Sequence, residues 1–388
     1  MKTLSQSPTD PAFVQNPYPF YEEARTHGPF FLWSDYAMPC TGNAAAVNAI
    51  FRDRRFGRES PEPLNIPDHL KPFYAVEAHS MLELEPPRHT RLRGLVLRAF
   101  TSRRIMALQP EIATLTHQLI DAFPAGDFDL LQHFGQKLPV IIIARLLGVP
   151  ESMSDDLLKW SNAMVGMYMA GRTRATEDRA VAATEAFVAF MQGYVGERRA
   201  RPADDLITHL IAAESEGDRL TTDELITTCI LLLNAGHEAT VHTIGNGVKT
   251  LLETGTQSAL ANPDPAVEEI LRFDPALHMF TRWAYEDIDV MGHMFHRGDR
   301  VALLLGAANR DPGVWDDPDQ FDPTRSIKPN AAFGAGMHFC VGAPLARLEL
   351  QTALPILFQH LPKLQLTELP RYGDVYHFHG LQRLVVAA

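Results

Sequence analysis

Residues 332–349, AFGAGMHFCVGAPLARLE, contain one of only three cysteines in the 388-residue chain. Cys340 lies among Gly334, Gly336 and Gly342, with His338 two residues before it. A lone cysteine without C-x-x-C spacing argues against a local disulfide or a zinc site. Three roles remain open for Cys340: a small buried hydrophobic residue, a nucleophile, or a ligand of a metal whose other ligands are not protein groups.

The second candidate for a chemical role is a carboxylate in an unusual setting. Glu238 lies in the string AGHEAT, within an almost uncharged apolar stretch over residues 221–252. Thr221 and Glu224 have the spacing of a capping box, which predicts that a long helix begins here. A helix that is apolar on every face has to be buried, and a buried carboxylate is unfavourable without partners or a function. Gly236 inside this helix favours the close approach of a bulky group.

Two charged motifs and the cysteine segment follow this helix. Glu269 and Arg272 have E-x-x-R spacing, which puts both on one helical face, and Arg325 ends an F-D-P-x-R loop. Each motif alone occurs by chance in many chains. The ordered set of A-G-x-E, E-x-x-R, F-D-P-x-R and F-G-x-G-x-H-x-C-x-G is far more specific.

The remaining sequence predicts the elements that position these groups. Apolar residues recur at helical spacing over residues 90–100, 108–123 and 180–200. Strand-like alternation is restricted to a hairpin over residues 287–304, with bends at Gly292 and Gly298, and to one short strand over residues 381–388. We therefore predict a mainly α protein with a minor β component.

Composition and charge argue against several functions. The chain is 46% hydrophobic and 21% charged, as is typical of globular proteins. Its net charge of −12 argues against nucleic acid as the main partner. The polar N-terminal segment is unlike a signal peptide, no apolar run is long enough for a membrane span, and the few scattered cysteines favour a reducing compartment. We expect a cytoplasmic protein with no nucleic-acid and no membrane partner.

The motif set resembles the soluble, bacterial type of the cytochrome P-450 family of haem-thiolate monooxygenases, over essentially the whole chain. The resemblance implies a single domain over residues 1–388, in which the long distal helix crosses the core over a buried haem b (iron protoporphyrin IX). Cys340 would be the axial thiolate of the haem iron, an electron donor that favours O–O cleavage. The remaining cofactor-binding positions near the sulfur and the ring would be Phe333, Gly334, Gly342 and, on the distal helix, Gly236.

The resemblance also assigns partners to the two haem propionates, because buried carboxylates need cationic or hydrogen-bonding groups. These positions are His89, Arg93, Arg282 and His338. The six arginines between residues 88 and 104 occur without any acid. They fit either a solvated helix face or, apart from Arg93, a basic surface on which an acidic ferredoxin docks. The resemblance gives Glu269, Arg272 and Arg325 a structural role as a buried salt-bridge triad.

The distal helix departs from the family pattern A-G-x-[D/E]-T-[T/S]. Glu238 occupies the acid position, but Ala239 stands where the first threonine is expected. Thr240 lies about 100° further around the helix, so its hydroxyl does not simply substitute. Three outcomes are open at these catalytic positions: a substrate hydroxyl or ordered water replaces the missing hydroxyl, reduced oxygen leaks as peroxide, or peroxide is the oxidant. Glu238 favours the first, and His237 is expected to be a packing residue.

The resulting hypothesis is an enzyme that inserts one atom of O2 into an apolar small molecule, with electrons from a separate ferredoxin and ferredoxin reductase. The alternatives are a peroxide-using haem-thiolate enzyme, a non-catalytic haem-thiolate sensor, and a zinc or nucleophilic site at Cys340 and His338. By family analogy the substrate would contact the loop over residues 61–82, the methionine-rich stretch over residues 164–171, and residues 277–280. The methionines fit a malleable apolar surface or ordinary packing.

Overall fold

The computed structural model describes residues 1–169, 171–213 and 219–388 and is mainly helical with a minor β component, as the sequence predicts. The α-helices, numbered in chain order, are α1 (Pro11–Gln15), α2 (Tyr18–Arg25), α3 (Ala44–Arg52), α4 (Lys71–Glu77), α5 (Arg88–Ala99), α6 (Ser102–Ala107), α7 (Gln109–Asp121), α8 (Lys137–Leu147), α9 (Ser154–Val165), α10 (Arg174–Ala200), α11 (Leu206–Ala212), α12 (Thr222–Thr254), α13 (Pro263–Phe273), α14 (Leu305–Ala308) and α15 (Ala343–His360). Within these ranges, no helix is long and apolar enough to cross a membrane.

The strands are short and form small sheets beside the helices. They are β1 (Lys2–Leu4), β2 (Phe31–Trp33), β3 (Met38–Thr41), β4 (Phe56–Gly57), β5 (Phe128–Asp129), β6 (Met279–Ala284), β7 (Ile288–Val290), β8 (His293–Phe295), β9 (Arg300–Leu304), β10 (Gln365–Leu366), β11 (Arg371–Tyr372), β12 (Leu381–Arg383) and β13 (Val385–Ala387). The largest sheet has the order β1-β2-β3-β9-β6-β4. β6 pairs with β9 on one side and β4 on the other, which fixes the strand that carries Arg282.

The long helix α12 forms as its sequence predicts. Both hydrogen bonds of the Thr221–Glu224 capping box are present, and Gly255 ends the helix in the left-handed conformation. The helix packs against α8, α10, α13 and α15, and most of its residues are buried. One face differs from the prediction of complete burial, because Ala235 is exposed although it lies near the middle of the helix. This face carries the AGHEAT string.

The expected hairpin is present only in part. β7 and β8 pair antiparallel around Met291 and Gly292, both with positive φ, but the segment after Gly298 forms β9, which pairs with β6 and β3 instead. The prediction of one terminal strand over residues 381–388 is wrong. The structure divides this segment at Leu384, whose N–H donates to Asp129 Oδ1 at 2.9 Å. β12 then pairs with β11, whereas β13 lies between β10 and β5.

A buried polar cluster joins the end of α13 to the C-terminal segment. Asp274 accepts hydrogen bonds from the hydroxyls of Tyr18 and Tyr372, and its Oδ1 lies 3.4 Å from His379 Nε2. His278 Nδ1 contacts the Tyr21 hydroxyl at 2.9 Å. The cluster fixes the C-terminal segment against the part of the chain that enters β6.

The predicted salt-bridge triad is present at α13. Arg272 donates two 2.7 Å hydrogen bonds to the Glu269 carboxylate, and Arg325 Nε lies 3.5 Å from Glu269 Oε1. Arg272 also donates to the carbonyls of Asn309, Pro318 and Gln320. The triad therefore holds the loop that leads toward the cysteine segment.

Replacing Arg272 by leucine should lower the free energy of unfolding by about 3–5 kcal/mol, because the buried Glu269 carboxylate loses both guanidinium hydrogen bonds and keeps the Asp322 N–H and the longer contact with Arg325. The measurement is urea denaturation followed by circular dichroism. The control is Arg371→Leu, which removes an ion pair whose side chains are both 57% exposed and should cost less than about 1 kcal/mol. Equal losses in the two variants would contradict a stabilising triad.

Candidate active site

The cysteine segment forms a tight loop between a 3₁₀ turn (Gly336–His338) and α15. The Cys340 N–H donates to the Phe333 carbonyl at 3.1 Å, which closes the loop. Gly334 and Gly336 have φ values of +65° and +70°, a conformation that favours glycine. A Cβ atom at Gly336 would lie 2.0 Å from the Phe51 carbonyl oxygen, so the loop rests directly on the end of α3.

Several groups around Cys340 partly offset the cost of negative charge at its buried sulfur. Burial raises the pKa of the Cys340 thiol, and the N–H groups of Gly342 and Ala343 act in the opposite direction, with the Arg93 and Arg347 guanidiniums. Gly342 directly precedes α15, whose N-terminal end adds a partial positive charge. A thiolate is the form of cysteine that binds metal ions.

Arg93 and Arg347 reach the cysteine loop from two helices. Arg93 in α5 donates to the Phe339 carbonyl at 2.7 Å. Arg347 in α15 stacks its guanidinium 4.7 Å from the centre of the Phe333 ring and forms an ion pair with Glu268. Phe333 is therefore held between the loop and α15.

Two of the predicted propionate partners are in contact. The rings of His89 and His338 have centroids 4.4 Å apart. His338 Nε2 lies 2.9 Å from Glu85 Oε1, whereas His89 is 1% exposed and its Nδ1 has no hydrogen-bond partner. Burial, followed by the charges of His338 and Arg93, lowers the pKa of His89 to about 4. His89 therefore stays neutral and offers a free ring nitrogen.

Arg282 is a buried cation in β6. It is 3% exposed and donates to the Thr281 carbonyl at 2.8 Å, with its guanidinium over the Phe51 ring. Within residues 1–169, 171–213 and 219–388, no carboxylate lies at ion-pair distance from it. Burial, with repulsion from Arg58, lowers the pKa of Arg282 to about 9. A buried cation of this kind calls for an anionic partner.

The open face of α12 carries the predicted catalytic positions. Gly236, Glu238 and Ala239 are partly accessible, whereas Thr240 is 5% exposed. The Thr240 hydroxyl points back to the Gly236 carbonyl at 3.4 Å. Thr240 is thus turned into its own helix, in agreement with the expectation that it does not replace a hydroxyl at position 239.

The Glu238 carboxylate lies between two imidazoles. His237 Nε2 is 3.4 Å from Oε2, and His242 Nε2 is 3.5 Å from Oε1. Burial raises the pKa of Glu238, but the two imidazoles outweigh it and lower the pKa to about 2. The carboxylate therefore stays ionised in this position.

The segments expected to contact substrate are only partly accessible. Met164 and Met167 belong to the main core, at 2% and 4% exposure, so packing accounts for both. Tyr168 is accessible, and its hydroxyl donates to Glu77 at 2.7 Å, which joins this stretch to α4 at the end of the 61–82 loop. Leu277 pairs with Phe378 of the C-terminal segment. Position 170 lies outside the described residues.

Comparison with known proteins identifies the family. The cytochrome P-450 family model matches residues 263–368. The biotin biosynthesis cytochrome P-450 of Bacillus subtilis (strain 168) is 36% identical over 395 residues, 99% of each chain. The cytochrome P-450 monooxygenase PikC of Streptomyces venezuelae is 36% identical over 379 residues, 92% of this chain and 87% of that one. The crystal structure of P450BioI in complex with an acyl carrier protein ligated to hexadec-9Z-enoic acid matches with a TM-score of 0.92 and 36% identity, over 97% of this chain and 99% of that chain.

The chain belongs to the cytochrome P-450 family. It is an oxidoreductase of the monooxygenase class, with haem iron as cofactor and with O2 and redox partners in its reaction. The residues present fit such a group. Cys340 offers a buried sulfur ligand whose pKa is lowered by two N–H groups and two arginines, against the larger effect of burial, and among the described residues no carboxylate pairs with the buried cation of Arg282. His89 adds an unused ring nitrogen in the same region.

Sequence reasoning missed two residues of this site. Glu85 accepts from the Arg58 N–H at 2.7 Å and pairs with His338, 253 residues away. Arg347 contacts Phe333 and faces the cysteine. The sequence contained one signal for Glu85, since it lies four residues before His89 and its carbonyl accepts the His89 N–H.

Replacing Gly336 by alanine should reduce haem incorporation, because the new Cβ atom would meet the Phe51 carbonyl at 2.0 Å and push the cysteine loop away. Gly334→Ala is a matched control. Its φ is also positive, but its Cβ atom would meet only side-chain atoms, the nearest at 3.6 Å. The haem-to-protein ratio of the purified variants is the measurement. Equal ratios for the two variants would contradict the close contact at Gly336.

Proposed function

We propose that this protein is a haem b monooxygenase that inserts one oxygen atom of O2 into an apolar small organic substrate. Electrons come from a separate ferredoxin and ferredoxin reductase, and the protein acts in the cytoplasm. The observation that carries the proposal is the setting of Cys340. Two N–H groups, the start of α15 and two arginines all favour a sulfur anion in a buried loop.

The residues that would hold the cofactor follow from this assignment. Bound haem would supply an iron that activates O2, and Cys340 would hold that iron through its sulfur. Arg282, Arg93, His89 and His338 would bind the propionates. Arg282 is the strongest of these candidates, because its buried charge lacks a carboxylate partner in the described structure.

On the proximal side, the chain keeps the sulfur oriented and shielded. Phe333 lies beneath Arg347, and Gly342 approaches the sulfur closely enough that a Cβ atom there would be 3.8 Å from it. N–H groups that point at the sulfur limit its electron donation and keep it ionised.

On the distal side, Glu238 is the candidate for proton delivery. It is the only carboxylate in the AGHEAT string, and it lies on the accessible face of α12. Ala239 brings no hydroxyl, and the Thr240 hydroxyl is turned to Gly236. Proton delivery in this protein therefore depends on Glu238 and on groups other than a threonine at the usual place.

An apolar substrate is supported by the lining of the segments above α12. Leu277, just before β6, and Phe280, within it, are partly accessible, and Ala235 is exposed on α12. A structure similar to this chain holds hexadecenoic acid on an acyl carrier protein, and an acyl chain is one example of the apolar class that we propose.

A ferredoxin as the electron donor is supported by the basic surface near Cys340. Arg98 and Arg103 are exposed, and Arg104 is half-buried in α6, which packs against α15. Asp204 lies 3.9 Å from Arg104 and partly offsets the positive charge. An acidic protein bound here would lie on the same side of the molecule as the thiolate.

The reduced protein should give a strongly red-shifted Soret band with carbon monoxide, because the iron would be held by a cysteine thiolate. The measurement is the carbon monoxide difference spectrum after reduction with dithionite. Cys340→Ser should lose this band, whereas Cys229→Ser, at a buried cysteine in the first half of α12, should keep it. A red-shifted band that survives in Cys340→Ser would refute the ligand assignment.

Replacing Arg98, Arg103 and Arg104 by glutamine should slow reduction of the haem by ferredoxin, because complementary charge accelerates protein association. The slowing should diminish at high salt. Stopped-flow reduction at several ionic strengths measures it. Reduction by dithionite serves as control and should not change. If ferredoxin reduces the triple variant at the parent rate at low salt, the docking surface lies elsewhere.

A further inference from the structure

The distal turn of α12 lacks an alcohol at position 239 but has an extra basic group one turn further on. His242 lies four residues after Glu238, and its Nε2 is 3.5 Å from Glu238 Oε1. The hydroxyl of Thr240, the residue after Ala239, donates to the Gly236 carbonyl of its own helix. Among the described residues, the titratable side chains that contact Glu238 are the imidazoles of His237 and His242.

We propose that His242 supplies protons to the distal turn, by way of Glu238, in place of the absent alcohol. This inference rests on the proposed monooxygenase function, whose stoichiometry consumes two protons and two electrons for each O2. In the step itself, the Nε2–H bond of the His242 imidazolium breaks and an O–H bond forms at Glu238 Oε1. No electrons are transferred, and the neutral imidazole regains a proton from water.

The structure makes specific room for this ring. A Cβ atom at Gly380 would lie 1.8 Å from His242 Nδ1, so only glycine at position 380 lets the imidazole occupy its place. His242 Nδ1 is buried and has no hydrogen-bond partner in the described structure. No hydrogen bond therefore holds the ring by its far nitrogen, and the imidazole would be recharged through the accessible part of its side chain.

His237 is the other imidazole at Glu238, but its setting is different. Its Nδ1 donates to the Leu233 carbonyl at 2.8 Å, and the residue is 1% exposed. The side chain of His242 is 18% exposed. His237 is thus held at Nδ1 and isolated from solvent, and its Nε2 has no hydrogen-bond partner among the described residues. This setting suits a residue that positions Glu238, whereas His242 can be recharged.

The groups that face His242 do not compete with it as a proton carrier. On its own helix the charged neighbour is Glu238, and from the C-terminal segment His379 and the Phe378 ring approach it. Burial lowers the pKa of His379 to about 3, with further lowering by the charges of Lys249 and His242. His379 therefore stays neutral near pH 7 and does not compete for the proton.

The first experiment compares product formed per electron consumed in the haem-loaded protein and in His242→Asn. Asparagine keeps a polar side chain but does not titrate. Coupling should fall about tenfold or more, with the lost electrons recovered as peroxide, because a positioned acid contributes at least that much.

The double variant Ala239→Thr/His242→Asn should restore most of the coupling, since a hydroxyl returns to the usual place. The exposed control His27→Asn should behave as the parent.

A second readout does not depend on turnover. Infrared difference spectra of each protein against its own Glu238→Gln counterpart follow the Glu238 carboxyl as pH falls. The pKa of Glu238 should rise from about 2 toward its ordinary value in His242→Asn, because one of the two imidazoles that lower it is removed. This titration tests the contact itself, and it separates failure of the inference from failure of the proposed function, which would appear as a missing carbon monoxide band.

Unchanged coupling in His242→Asn overturns the proposal. It is also overturned if His237→Asn and His242→Asn lose coupling equally and Ala239→Thr rescues neither, because both imidazoles would then only position Glu238. A Glu238 pKa that does not respond to His242→Asn would mean that the two side chains are not in contact in solution, with the same conclusion.

Discussion

Keeping a sulfur anion inside the protein is the constraint on which the rest of this structure depends. Burial opposes a charged Cys340, so the fold must bring compensating groups from several places. The start of α15 provides N–H groups, and α5 and α15 each contribute an arginine. The loop that carries the sulfur rests on α3, and the Glu269–Arg272 pair holds the chain that leads into it. Helices that are distant in sequence thus contribute groups that stabilise this one sulfur atom.

The local parts of this arrangement could be predicted from the sequence, because they depend on neighbouring residues. The capping box at Thr221 and the hairpin turn at Gly292 are signals of this kind, and both are present. The E-x-x-R pair was also predictable, since both residues lie on one turn. The division of the terminal segment at Leu384 was not, because it depends on a partner, Asp129, that is 255 residues away.

The candidate site shows the same difference between local and distant contacts. The motifs pointed to Cys340, and the structure surrounds it with the groups a thiolate needs. Glu85 and Arg347 were missed because their importance comes from side chains that only the fold brings near. Met164 and Met167 illustrate the opposite case. Their methionine-rich stretch was compatible with an adaptable surface, but the structure buries both side chains in the main core. Composition cannot distinguish a core methionine from a ligand-facing one.

The close approach of Gly380 to His242 makes these two positions interdependent over evolutionary time. Any side chain at 380 would collide with the imidazole in its present position, so a histidine at 242 keeps this position beside Glu238 only when the glycine is present. In the reverse order, the imidazole would have to turn away from Glu238 until the glycine appeared. Mutational paths toward this contact are therefore ordered, because a larger residue at 380 excludes it.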